Sequence, residues 1–351
     1  MKFDIKQTNI VKGVAVLMLL WHHLFFNSPE TAVLYRSVFQ VMGIPAEALI
    51  SVFCKVCVAI FMFLSGYGMF ISYEGFLKKD RQYKNAFTRD VTFVKNRLIK
   101  LLSSYWVIYI IFVPLGLFFG KSFLEVYGAN PLHWLADFFG ISHLLFGTAY
   151  TMNGTWWYMS VIIVYYLIYP LLHRLCKYSA ELLLAVSLII TMMFPNIREL
   201  QALLLPFAFG MYVSYRNIFE ILSRLINKMW IRGVVSGIII ATFAFIRYRY
   251  LSNKMKFDFA FGFGIILLTY WFIGKIPIVN KVLEEFGKKS GLIFMFHTFI
   301  YYSYFKDFIY SFKYSVLIFA VLAVICFIVA ALLELLMKFS GYQKLIKKMT
   351  T

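Results

Sequence analysis

Apolar residues along this chain come in long runs, each near the length that crosses a hydrocarbon layer of roughly 30 Å as a helix. Segments 10–26, 51–73, 99–119, 155–173, 181–195, 201–215, 231–248, 258–274, 290–305 and 314–337 are the predicted spans. Nowhere do polar and apolar positions alternate over the strand lengths of a membrane barrel. The pattern predicts an all-α, polytopic integral membrane protein of about ten transmembrane helices, and an even number places both termini on one side. Leu132 to Gly147 is also apolar and aromatic, but His133, Asp137 and His143 interrupt it. It is predicted to lie at the interface or to re-enter the membrane, with an eleventh span as the alternative.

Charge decides the orientation. The connection 74–98 carries Lys78, Lys79, Arg81, Lys84, Arg89, Lys95 and Arg97, whereas the flanking connections 27–50 and 120–154 hold only Arg36 and Lys121. The basic connection therefore faces the cytoplasm. The same side then receives Lys2 and Lys6, Arg174 and Lys177, Arg216, Arg224 and Lys228, Lys275 to Lys289, and the tail Lys344, Lys347 and Lys348. One connection dissents, because Arg247, Arg249, Lys254 and Lys256 fall outside. An eleventh span would move them in but carry the basic tail out, so ten spans with cytoplasmic ends are retained.

Composition narrows the picture further. The chain has 351 residues, 62% hydrophobic and 15% charged, with a net charge of +19. In a membrane protein that excess reads first as topology, and no nucleic-acid partner is expected. The longest polar interval, 74–100, is too short for a soluble core. No repeat or linker divides the sequence, so residues 1–351 are read as one domain in the cytoplasmic membrane. Cys54, Cys57, Cys176 and Cys326 sit in or beside apolar runs without a second metal-ligand pair, which makes them packing residues, and no metal is expected. The first run lacks a small-residue cleavage site and is read as a retained span.

That first run carries the sharpest chemistry. Eleven positions bring a helical side chain back to within roughly 20° of its starting direction, so Lys12 and His23 share a face about 16 Å apart, while His22 is turned by about 80°. Ionisable groups on a membrane helix normally face a bundle interior or a wet cavity. The alternative is that Lys12 snorkels at one boundary and the histidines mark the other. Arg97 and Lys100, three apart, are neighbours at the cytoplasmic end of the third span, and positive-inside anchoring is the competing reading. Ser65-Gly66 places small residues where helices approach closely. Ser290 and His297, seven apart, again share a face. Trp156 and Trp157 stand where an aromatic belt is expected.

Taken in order, Lys12-Gly13-Val14-Ala15 running to His22-His23, Phe63-Leu64-Ser65-Gly66-Tyr67, Lys95-Asn96-Arg97-Leu98-Ile99-Lys100, Asn153-Gly154-Thr155-Trp156-Trp157-Tyr158, Leu205 to Gly210, and Phe286-Gly287-Lys288-Lys289-Ser290 ending in Phe296-His297 resemble the acyltransferase-3 family of membrane O-acyltransferases. The resemblance implies ten spans, an acyl-CoA donor on the cytoplasmic side and an acceptor hydroxyl on a surface glycan or lipid-linked sugar. The acyl group is expected to be acetyl. Its leading motif, an arginine, ten residues and a histidine, falls on Lys12 and His23. Lysine there replaces a planar, permanently charged fork with a point charge.

On this likeness His23 is the catalytic candidate. An imidazole can take the proton of a weakly nucleophilic sugar hydroxyl as it attacks a thioester, or can itself carry the acyl group. Lys12, Arg97 and Lys100 are the candidate acyl-CoA-binding residues. Ser65, Tyr67, Trp157, Ser290 and His297 are candidate site-lining residues. No cofactor is bound permanently, the donor being a substrate, and the expected partners are acyl-CoA, the glycan acceptor and membrane lipids. An envelope protein is an alternative receiver of the acyl group. The competing function class is a transporter or export component for a polysaccharide or lipid-linked sugar, but the matched halves and paired broken helices of such proteins are not evident.

Overall fold

The structure, a computed structural model, describes residues 3–26, 34–78, 83, 85–119, 122–193, 198–249 and 256–350. Lys2, Lys79, Arg81, Lys84, Lys121 and Lys254 from the charge pattern lie outside them. The order is α1 (Ile5–Phe25), α2 (Ala46–Cys54), α3 (Cys57–Lys78), α4 (Ala86–Phe118), α5 (Phe123–Tyr127), α6 (Pro131–Phe138), α7 (Ser142–Phe146), α8 (Trp157–Tyr178), α9 (Ala180–Met193), α10 (Arg198–Tyr215), α11 (Ile218–Leu225), α12 (Met229–Arg249), α13 (Asp258–Trp271), α14 (Pro277–Thr298), α15 (Lys306–Tyr310), α16 (Ser315–Phe339) and α17 (Tyr342–Met349). Among the described residues, β structure is confined to a small antiparallel hairpin, β1 (Gln40–Val41) with β2 (Ile44–Pro45), and an isolated bridge between Arg36 and Tyr314.

Among the described residues, seven helical stretches are long and apolar enough to cross a membrane: Ile5–Phe25, Ala46–Lys78, Ala86–Phe118, Gly154–Tyr178, Met229–Arg249, Asp258–Lys275 and Ser315–Phe339. Ala180–Met193 is apolar but shorter. The molecule is thus an all-α, multi-pass membrane protein. The predicted spans 201–215 and 290–305 also fall on helix, in α10 and in α14 with the π-helical turn Phe299–Tyr304 that follows it. Several helices begin well before their apolar run. Helix α14 opens at Pro277, where a missing N–H costs nothing, and Lys281, Glu284, Glu285, Lys288 and Lys289 make its first half polar. Helix α4 starts at Ala86 because the Asn85 side chain accepts the Thr88 N–H at 2.8 Å.

The segment 132–147 is not one helix. Asn130 caps α6 by accepting the Leu132 N–H at 3.0 Å, Pro131 occupies its first position, and Gly140, at φ +70°, turns the chain before α7. Eight residues of α6 rise only about 12 Å, too short to cross.

By its internal contacts the chain forms two compact units. The first comprises Met1–His22, Leu49–Arg81 and Pro170–Ser290. Its helices approach backbone to backbone at glycines: a Cβ added at Gly66 of α3 would fall on the Phe207 carbonyl of α10, and one at Gly210 on the Phe63 carbonyl. The same device joins α1 and α14, where a Cβ at Gly13 would meet Leu283 O and one at Gly287 would meet Asn9 O. Small residues permit this closeness without a water-driven hydrophobic force. In the same unit Arg247 of α12 is buried in an ion pair with Asp258 of α13 and donates from Nε to Val52 O at 3.1 Å. This corrects the charge reading. Arg247, counted as a dissenting outside cation, is neutralised within the fold.

The second unit comprises His23–Ala48, Gln82–Tyr169 and Gly291–Thr351. Glu47, buried at the start of α2, accepts Val38 N–H, the Ser37 hydroxyl and the Ser315 hydroxyl, each at 2.8 Å, and so ties the segment before the hairpin to α16. Helix α17 carries Lys344, Lys347 and Lys348 exposed on its polar face, and its Tyr342 hydroxyl donates to Ser103 O of α4 at 3.1 Å.

Candidate active site

Consecutive histidines near the end of α1 do different things. His22 is buried, and its Nδ1–H donates to the Ser51 carbonyl at 2.8 Å. His23 is half-buried, and its ring stands 4.9 Å from that of His297, tilted by 55°. Tyr301, in the π-helical turn after α14, lies 6.4 Å from the His23 ring and stacks on His297 at 6.1 Å. Turns of this kind recur at functional sites because they re-aim side chains that a regular helix would space evenly.

His297 is fully buried, and its state can be read from its neighbours. Its Nδ1 faces the Ile293 and Phe294 carbonyls at 3.1 and 3.0 Å. A carbonyl only accepts, so Nδ1 carries the proton. Protonating Nε2 as well would bury a cation with no counter-ion, so Nε2 keeps a lone pair. That lone pair has no hydrogen-bond partner in the described structure.

The turn of α14 that carries His297 is anchored from outside its own helix. Met295 O accepts the Trp156 indole N–H at 2.8 Å and the Asn153 side-chain amide at 3.2 Å. Asn153 in turn accepts the Thr155 N–H and hydroxyl, at 2.9 and 2.7 Å, which fixes the short turn opening α8. Behind it, buried Asp137 accepts the Tyr127 hydroxyl at 2.7 Å, the Thr151 hydroxyl at 2.8 Å and the Met152 N–H at 3.0 Å. The Tyr105 hydroxyl donates to the Asp137 carbonyl. Burial pushes the Asp137 carboxyl up to about 6, against these three donors. Trp156 is therefore an internal strut, not the belt residue expected, while half-buried Trp157 begins α8 with its ring 6.3 Å from His143.

The basic candidates lie on α1 and α4. Arg97 is half-buried on α4 with its guanidinium 5.2 Å over the Phe93 ring and within electrostatic reach of Tyr166 and Tyr169. Lys100, one turn on, is exposed. Lys12, in the first unit, is half-buried beside the Gly13 crossing. Among the described residues none of the three is paired with a carboxylate.

Two serines turn inward on their own helices. Ser65 donates to Phe61 O at 2.9 Å and Ser290 to Gly287 O at 2.8 Å. Tyr67, whose hydroxyl donates to Phe3 O at 3.2 Å, lines a cavity of about 590 Å³ in the first unit with Phe70, Glu74, Lys177, Tyr215 and Phe219. Sequence reasoning did not single out Glu74 there, which accepts from His173 at 2.9 Å and pairs with Lys177 at 3.2 Å. These partners sit 99 and 103 residues away, beyond any local pattern (173 − 74, 177 − 74).

A family model described as an acyltransferase domain, that of the acyltransferase-3 family, matches residues 5–335. The chain belongs to the acyltransferase-3 family. The match runs through both compact units and takes in α1 with His23, α4 with Arg97, the Asn153–Trp157 turn and α14 with His297. No curated protein and no solved structure matches the chain. Membership establishes a membrane acyltransferase.

Proposed function

We propose that this acyltransferase moves an acyl group, acetyl in the simplest case, from acyl-CoA to a hydroxyl of a cell-envelope or exported glycan or its lipid-linked precursor. The observation that supports this reading best is the meeting of His23 with His297 in a chain matched to the family over residues 5–335. His23 serves as the general base. It takes the hydroxyl proton as the C–O ester bond forms and the C–S bond breaks, and the proton leaves with the CoA thiolate as free thiol. Arg97 and Lys100, neighbours on α4, are the candidate cations for the CoA phosphates, and Lys12 on α1 is a further candidate taken by itself. Unpaired carboxylate-free cations suit that role, and each charge-assisted contact contributes about 1.5–3 kcal/mol.

The test is thioester consumption. Membranes containing the protein, given labelled acetyl-CoA and a glycan acceptor, should release free CoA thiol in step with acyl incorporation. Arg97→Ala should raise the half-saturating donor concentration about ten-fold or more, in keeping with one lost charge-assisted contact. Glycan movement without thiol release would favour a transporter, and unchanged donor dependence would leave Arg97 as a topological anchor.

Ten spans with both ends in the cytoplasm are the proposed arrangement in the cytoplasmic membrane. The helical runs under the apolar segments among the described residues, the exposed lysines of α17 and the internal pairing of Arg247 support it. A membrane-impermeant thiol reagent should reach a cysteine placed at position 36 and miss one at position 84. The opposite labelling pattern overturns the orientation.

A further inference from the structure

The unpartnered nitrogen of His297 has a use that the family assignment does not specify. A buried acceptor without a donor is costly, so its retention calls for an explanation, and a partner that arrives during function is one. Here the partner is close at hand. Ring nitrogens stand about 1.1 Å from the ring centre, so rings 4.9 Å apart allow a contact of about 2.7 Å once a nitrogen of each turns toward the other; Nε2 is without a partner among the described residues, and a rotation of the His23 ring would supply it.

We propose that His297 is the positioning residue for His23: its Nε2 accepts the N–H of the His23 ring and turns the opposite His23 nitrogen, as a lone pair, toward the acceptor hydroxyl. This inference rests on the reading of His23 as general base. In a triad of nucleophile, base and orienter, the third group sets the tautomer of the base and stabilises the cation it becomes. A carboxylate usually fills that place. Within an apolar helix pair a neutral imidazole does the same work without burying a second charge.

The local structure is suited to it. His297 cannot flip without breaking the contacts of Nδ1–H with Ile293 O and Phe294 O. Nor can its helical turn drift, because Trp156 and Asn153 hold Met295 O. Nε2 is thus a fixed lone pair beside a ring that must change charge during turnover. When His23 takes the hydroxyl proton, the hydrogen bond to Nε2 becomes charge-assisted and strengthens. The interaction is therefore worth more in the transition state than in the ground state, which is the condition for raising kcat.

The experiment compares variants that keep or remove an acceptor at this position. His297→Phe and His297→Met remove it, and His297→Gln returns one through its carbonyl oxygen. With acyl transfer measured at matched membrane levels, the acceptor-less variant that accumulates should lose about 10- to 100-fold in kcat, with the half-saturating donor and glycan concentrations little changed. His297→Gln should recover a substantial part of the loss. In a His23→Ala background the His297 substitutions should have almost no further effect, since an orienter has nothing left to orient.

Wild-type kcat in a folded acceptor-less variant overturns the proposal. So does equal loss in the glutamine and phenylalanine variants, which would make His297 a packing residue. The two layers separate cleanly. Full activity in His23→Ala removes the general-base reading itself, whereas an inactive His23→Ala beside a fully active His297→Met removes only the positioning role.

Discussion

Replacing His23 with alanine is expected to lower acyl transfer by about 10²–10⁴-fold, the usual cost of losing a general base. His22→Ala should leave turnover near wild type and lower stability instead. The contrast comes from one helical step. Its 100° rotation turns His22 to donate from Nδ1 to Ser51 O, a buried hydrogen bond whose loss costs about 0.5–1.5 kcal/mol. His23 faces His297 and Tyr301 instead, with part of its ring still accessible. Acyl incorporation into the glycan, measured for both variants at matched membrane levels, decides between them. Loss in His22→Ala with retention in His23→Ala would reverse the assignment of faces. Activity in both would remove histidine from the chemistry and bring the transport reading forward.

That separation of neighbours was legible in the sequence because helical periodicity depends only on spacing. Much of the architecture was legible for the same reason: among the described residues the ten apolar segments lie largely on helix, and seven helical stretches are long and apolar enough to cross a membrane. The ends of helices were less so. Hydropathy placed a span at 290–305, yet α14 begins at Pro277, because a helix continues through Lys281 to Lys289 as readily as through leucines. Hydropathy registers solvent preference, and backbone continuity follows from caps and prolines.

The candidate site was legible in its members and not in its joints. His23 and His297 both stood out, 274 positions apart (297 − 23), but nothing local foretold that their rings would meet. Gly13 and Gly287, each ten residues before the histidine on its own helix, have the same offset of 274 (287 − 13). Close approach was anticipated at Ser65-Gly66 and not at Gly13 or Gly287, where only the folded chain reveals it. Asp137 was noted merely as an interruption of an apolar run. Its three donors come from α5 and from Thr151 and Met152, so its role appears only once the chain is folded. Trp156 and Trp157 are the plainest case. Two adjacent, identical side chains point about 100° apart on a helix, and composition cannot say which is buried.

Arg247 shows the same limit with the largest consequence for stability, and it yields the second strong expectation. Removing one partner of the Arg247–Asp258 pair by Arg247→Met or Asp258→Leu should destabilise the fold by about 3–5 kcal/mol, since it leaves a buried charge uncompensated. Arg247 and Asp258 are 3% and 4% exposed, so water cannot repair the loss. Asp258 also opens α13, where the helix dipole favours its negative charge, and that share is lost in either aspartate variant. The double substitution Arg247→Met with Asp258→Leu should be much less harmful than the sum of the single ones, because it exchanges two costly charges for apolar volume. Unfolding in detergent micelles, followed by temperature for all three variants, reads the coupling directly. Additive losses would show that the charges act independently. Arg247 would then return to the count of outside loop cations, and the ten-span orientation would lose one of its supports.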